Sequence, residues 1–270
     1  MKTLKLPATL TLLRQYNFPK KLGILERLYG KKLSKYGVHW VECANGMHWK
    51  LDLSDACHRW LIFGQYEGGK GINYATSILK NGGVYIDSGA NIGQWLLYLG
   101  SIPNLRTLAF EPVESQWKWL RECLNQHPDW DTELIQCGLG SKKAEAEIQV
   151  YGSKSTLNMD WYLDKKLEKT SIKIQPLDEF LFEKKITRVD FWKLDVEGAE
   201  FEALKGAERF LKAQQIKHIY FECHPSNYRK TIEFLNLFNY KVCDLHKDHL
   251  SIKAEPEISN TQDLVAIPIG

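Results

Sequence analysis

The chain has 270 residues, 44% of them hydrophobic, so it can bury a full core without disulfides or metals. No apolar run reaches the length that crosses a bilayer, which excludes a helical spanning protein. The net charge of +3 is unevenly spread: residues 1–36 hold nine basic side chains and one acid, Glu26, giving +8 and leaving −5 for residues 37–270.

Within the basic segment Leu22, Leu25, Leu28, Tyr29 and Leu33 recur at roughly helical spacing, which predicts an amphipathic helix. Such a helix packs on the domain that follows it, or lies on an anionic membrane surface or an acidic partner. Leu6–Leu13 is interrupted by Pro7, Thr9 and Thr11, and no small-residue cleavage site follows, so no export signal is read. The six cysteines are scattered with no CxxC pair, which reads as reduced thiols in a cytoplasmic protein, without a zinc site or disulfide framework.

From about residue 80 strands and helices alternate. Val84–Asp87 is a predicted strand, and Ile92–Leu99 a helix with Ile92, Trp95, Leu96 and Leu99 on one face. Thr107–Phe110 is the second strand, and Pro112 opens the next helix, where a missing N–H does no harm. Glu133–Cys137 is the third strand. The alternating stretches Glu145–Tyr151 and Ser171–Gln175 predict a small β insertion, and Leu177–Lys185 a short helix. Arg188–Val196 and Lys217–Cys223 are the fourth and fifth strands, each followed by a helix, and Tyr240–Leu245 and Leu264–Pro268 close the series. This alternation predicts an α/β, doubly wound, mostly parallel sheet covered on both faces. It gives an extension over residues 1–50 and one catalytic domain over 51–270. Ligands of such sheets sit at the strand C-terminal ends, which here read Asp87–Gly93, Glu111, Cys137–Gly138, Asp195–Gly198 and Glu222–Pro225.

The first of these is the most telling. Gly89 permits a tight turn off the strand and Gly93 a close helix approach, but Asn91 and Gln94 replace the second and third glycines of a nicotinamide fingerprint. The loop therefore suits an adenosyl ligand without a phosphate, with Asp87 accepting a hydrogen bond from the ammonium of a methionine moiety, directly or through water. Glu111, 24 residues on, stands where a ribose diol is gripped. The charges at Lys193, Asp195, Glu197 and Glu200 need partners at a buried strand end, and a Lys193–carboxylate pair is the natural one. There Asp195 faces the site and Glu200 reads as a first-turn acid. His224 can accept a proton near neutral pH.

Together Tyr66-Glu67, the Asp87–Gly93 block, Phe110-Glu111-Pro112, the Lys193–Glu200 block and Glu222-x-His224 resemble the FkbM-type methyltransferase family. The resemblance implies a class I, Rossmann-like methyltransferase with a seven-stranded sheet whose last strand is antiparallel. It also implies S-adenosylmethionine as cofactor and O-methylation of a hydroxyl on a sugar, glycan or natural product. Carried onto this chain, Asp87, Gly89, Asn91 and Gly93 hold the methionine and ribose end, Glu111 the ribose hydroxyls, and Gly138 with its neighbours the adenine. Asp195 lies near the methyl group.

For catalysis the reading is His224 or Asp195 as general base, Glu222 orienting the histidine, and Trp161 and Tyr162 closing over the site. No metal is expected. The expected partner is a small-molecule or glycan hydroxyl acceptor, with residues 1–36 free to meet a membrane or another protein. A nucleic-acid amino-methyltransferase is the nearest rival. It would carry Asn-Pro-Pro-aromatic where this chain has Asp195-Val-Glu197-Gly198, and the acidic balance of residues 37–270 opposes polyanion binding. A catalytically silent binding protein on the same fold is the other alternative.

Overall fold

The computed structural model describes residues 3–151, 154–156, 168–245, 250–252 and 260–269. The chain begins with a three-stranded sheet of β1 (Thr3–Leu4), β2 (Val38–Glu42) and β3 (His48–Asp52), so residue 50 falls inside a strand. Between β1 and β2 run the helix Ala8–Leu13 and a longer helical stretch. The latter comprises Lys21–Leu25, a π turn at Glu26–Gly30, Lys31–Leu33 and a 3₁₀ turn at Ser34–Tyr36. Leu25 and Leu33 are buried, whereas Leu28 is exposed. The π turn adds a residue to its helical turn, which shifts the phase and turns Leu28 out of the apolar stripe. Trp49 and Leu51 of β3 share a core with Ile92, Leu96 and Leu120 and, through Ala109, with the face of the main sheet.

That sheet contains β4 (Gly83–Ser88), β5 (Leu105–Phe110) and β6 (Asp131–Ile135). A second small sheet then interrupts it, built from β7 (Gly138–Leu139), β8 (Ala144–Tyr151), β9 (Lys154–Thr156) and β10 (Glu168–Gln175). The main sheet resumes with β11 (Phe191–Leu194), β12 (Ile219–Cys223), β13 (Tyr240–Leu245), β14 (Leu250–Ile252) and β15 (Gln262–Pro268). Its order is β14-β13-β15-β12-β11-β4-β5-β6. Strands β12 to β6 in that order are parallel, and β15, the last in the chain, runs antiparallel between β12 and β13. The expected seven strands are therefore all present, and β14 adds an eighth at the edge. Three residues were too few to show a period.

Both faces are covered. Ile86, Leu108, Trp192 and Leu194 point into one core with the helices Leu177–Glu183, Glu200–Lys205, Glu208–Lys212 and Tyr228–Leu237. Tyr85, Leu105 and Phe191, one residue out of step, point into the other with the helix Lys70–Leu79. The period of two along a pleated strand makes this division.

Some element edges differ from the sequence reading. The helix expected from Ile92 begins at Leu96, because Asn91 (φ 52°) and Gly93 (φ 83°) hold a left-handed turn before it. The next helix starts at Glu114, with Val113 extended at its N-cap, so Pro112 stands outside the first turn. The third strand stops at Ile135, and Gly138–Leu139 pairs with β10 instead. Trp161 and Tyr162 lie outside the described residues.

Candidate active site

The adjacent C-terminal ends of β4, β5 and β11 open onto one cavity. Register sets its floor. Lys193 is paired with Asp87 across β11 and β4, and Asp87 with Ala109 across β4 and β5, so these side chains share a face. Two residues beyond the last of them comes Glu111, and two beyond Lys193 comes Asp195.

Lys193 is almost completely buried and ties the floor together. Its Nζ donates to the carbonyl oxygens of Ser88 (3.3 Å) and Gly89 (2.9 Å), and lies 3.3 Å from Asp87 Oδ1 and 3.4 Å from Asp195 Oδ2. Burial works to lower its pKa, but Asp195 and Asp87 outweigh that, and the ammonium is held above its ordinary value. Asp87 is raised, because burial outweighs the help of Lys193. The Asp87 carboxylate is buried among Lys193 and Tyr85 and is not among the residues that line the cavity.

Glu111 does reach the cavity. It is 3% exposed, its Oε2 accepts from the backbone N–H of Asn91 and its Oε1 from that of Val113, both at 2.8 Å. Burial raises its pKa to about 7, against the lowering effect of the two amides and Lys193. The loop above it is fixed from two sides. Gly89 and Ala90 both donate to the Phe110 carbonyl at 3.0 Å, and Trp49 Nε1 donates to the Ile92 carbonyl at 2.7 Å. Gly89 has φ 74°, and a Cβ there would collide with the Asp195 carbonyl oxygen, so the close approach of β4 and β11 requires glycine.

On the β11 side, Glu197 (φ 53°) and Gly198 (φ 104°) form a left-handed turn. Glu200 is buried and reaches back to accept from the N–H groups of Val196 (2.9 Å) and Gly198 (3.1 Å). It therefore does more than complement a helix dipole: it fixes the loop that presents Asp195, whose side chain is 43% exposed on the cavity wall.

Of the residues singled out from the sequence, Gly89, Asn91, Glu111, Gly138 and Asp195 line the cavity, while Asp87, Gly93, Glu222 and His224 stand behind or beside it. His224 Nε2 is 3.0 Å from Glu222 Oε2 and its Nδ1 is 2.8 Å from Thr261 Oγ1. The carboxylates of Asp195, Glu200 and Glu222 gather within 4.8 Å of one another. Glu222 is pushed up to about 7 by burial and then by Asp195, Glu197 and Glu200.

Several wall residues were missed. Ile148, Ile172 and Ile174, from the inward face of β8 and β10, form an apolar side with Leu139. Their alternation was visible in the sequence, but not which face of the insertion turned inward. Tyr66 and Trp95 line the cavity too.

The Methyltransferase FkbM domain family matches residues 87–252. The chain belongs to this family. Methyltransferase 1 of Beauveria bassiana is 27% identical over 143 residues, covering 46% of this chain and 57% of the fungal protein. AMB antimetabolite synthetase AmbE of Pseudomonas aeruginosa is 26% identical over 184 residues, covering 54% of this chain and 9% of the synthetase. The chain thus spans under two thirds of either curated relative. Among solved structures, the METTL16 methyltransferase domain superposes with a TM-score of 0.51 at 12% identity, covering 93% of this chain and 92% of that one. At that identity the likeness concerns the fold, and the fold is the Rossmann-like one of class I methyltransferases.

Proposed function

We propose that this FkbM-family protein transfers the methyl group of S-adenosylmethionine to a hydroxyl oxygen on a sugar, glycan or small natural product. The observation that carries the reading is Glu111. It is a carboxylate buried at a strand tip, held in place by two backbone amides, with lone pairs left over for a diol on the cavity side.

The residues present fit such a cofactor. A carboxylate at this position attracts hydroxyl groups and repels a phosphate, and Asn91 stands where a pyrophosphate would need bare backbone. The three isoleucines and Leu139 offer an apolar slot of the kind that takes a planar base, beside Gly138. When bound, S-adenosylmethionine supplies an electrophilic methyl group on a sulfonium.

The chain's own contribution is orientation and proton handling. Tyr66 and Trp95 bound the space beside Asp195 in which the acceptor would be held in line, an arrangement that supplies several kcal/mol. Asp195 accepts the hydroxyl proton from the acceptor. Glu222, in the same carboxylate cluster and hydrogen-bonded to His224, relays it outward.

Calorimetry with S-adenosylmethionine and with NAD tests the cofactor: heat with the first and silence with the second is expected, and the reverse result defeats the reading. Labelled donor incubated with glycan, lipid and small-molecule pools identifies the acceptor class. Asp195→Asn is expected to reduce turnover more than substrate affinity. His224→Ala with wild-type turnover at saturating substrate would remove the histidine from the relay.

A further inference from the structure

Nine large apolar side chains are exposed among the described residues, and six of them, Leu12, Tyr16, Ile24, Leu28, Tyr36 and Val38, fall within one short N-terminal stretch. Exposed apolar residues scattered singly are ordinary; this concentration is not. Leu28 is 61% exposed, Tyr16 59% and Leu12 55%. Around them Lys5, Lys20, Arg27, Lys31, Lys32 and Lys35 are exposed too. The segment's single acid, Glu26, is turned inward onto Arg59, and the first exposed acid is Glu42, which pairs with Arg14.

The placement follows from helical phase. Ile24, Arg27, Leu28, Lys31 and Lys35 recur every three or four residues on the side opposite the buried Leu25 and Leu33. Tyr29 Oη donates to Thr9 Oγ1 at 2.9 Å, which ties the first helix, with its exposed Leu12, to this stretch. Lys21 Nζ donates to the Arg14 carbonyl at 2.6 Å. The face is therefore built into the fold before any partner arrives.

We infer that this face docks on an anionic lipid bilayer, with Leu12, Ile24 and Leu28 entering the headgroup boundary and the surrounding lysines meeting lipid phosphates and carboxylates. Charge complementarity chooses the occupant. A second copy would oppose like charges across the interface. A nucleic acid would satisfy the lysines but leave the apolar side chains in water. A bilayer surface satisfies both at once. No helix among the described residues is long and apolar enough to cross a membrane.

The test is co-sedimentation of the full chain with vesicles of phosphatidylcholine alone and of phosphatidylcholine mixed with phosphatidylserine, at low and high salt. Binding to the anionic vesicles is expected to exceed binding to the neutral ones by at least about tenfold at low salt and to fall as salt rises. Lys31→Glu with Lys32→Glu and Lys35→Glu should abolish the difference. Ile24→Ser with Leu28→Ser should weaken binding severalfold with charge unaltered. All five positions are exposed and none lines the cavity, so melting temperature and S-adenosylmethionine binding should not move; Leu28→Ser alone serves if a multiple variant fails to fold. Equal binding to both vesicle types overturns the inference. So does vesicle binding that ignores the Ile24 and Leu28 changes, and so does salt-sensitive binding to a short RNA with none to vesicles.

Discussion

Glu111 and Glu222 are two glutamates at the C-terminal ends of β5 and β12, with β11 and β4 between them in one sheet, and both are raised to about 7, for different reasons. At Glu111 burial does the raising, while two amides and a buried ammonium restrain it. At Glu222 burial is joined by three nearby carboxylates, with His224 alone pulling the other way. The first is a carboxylate gripped by its surroundings and available to a ligand. The second is one acid in a crowd, suited to gaining and losing a proton. A shared titration midpoint therefore says little about role until its causes are separated.

Three measurements would break or sharpen this contrast. The largest effect is expected from Lys193→Met, which strips Asp87 of its counter-charge in a buried place and should destabilise the fold by about 3–5 kcal/mol, read by denaturant unfolding. It should also move Glu111 further up and leave Glu222 nearly unmoved. Equal movement of both would dissolve the distinction. Next is Glu111→Ala, expected to weaken S-adenosylmethionine binding about a hundredfold by calorimetry, two hydrogen bonds to a charged group being lost. Glu222→Ala should change that affinity little while slowing turnover.

The smallest effect concerns pH. A carboxyl whose folded pKa is raised favours the neutral form in the folded state, so folding loses stability as pH rises from about 4.5 to about 7, with no further loss above. Glu222→Gln removes that dependence. The melting temperature of the native protein relative to the variant should fall by about 2–4 °C across this interval, discounted for partial exposure. A difference that instead grows on acidification would reverse the assigned direction.

Much of the scaffold was legible because parallel strands buried on both faces are short apolar runs with clear punctuation. Tyr240–Leu245 forms over the residues expected, and β4, β5 and β12 shift by at most two residues at an end. What escaped was decided by contacts distant in sequence. The turn over residues 91–95 carries a helical pattern, but Trp49 and Leu120 crowd Gly93 and hold it in a left-handed conformation. Asp87 ends a strand in the sequence, and only the pairing of β4 with β11 shows that Lys193 stands across from it. Glu200 reads as a dipole complement until its side chain is seen folded back onto Val196 and Gly198. Local pattern reveals which residues end a strand; only register and burial decide which of them see the cavity.

The small sheet that carries the three isoleucines joins the main one through the links after β6 and after β10. The grip on a ligand's polar groups and the apolar side that closes over it thus come from two separately hydrogen-bonded assemblies. Lengthening or re-sequencing β8 and β10 would reshape the chamber without touching Glu111, Lys193 or the turn at Gly89. Changes in that hairpin therefore retune the apolar wall of the chamber while its polar floor stays as the main sheet sets it.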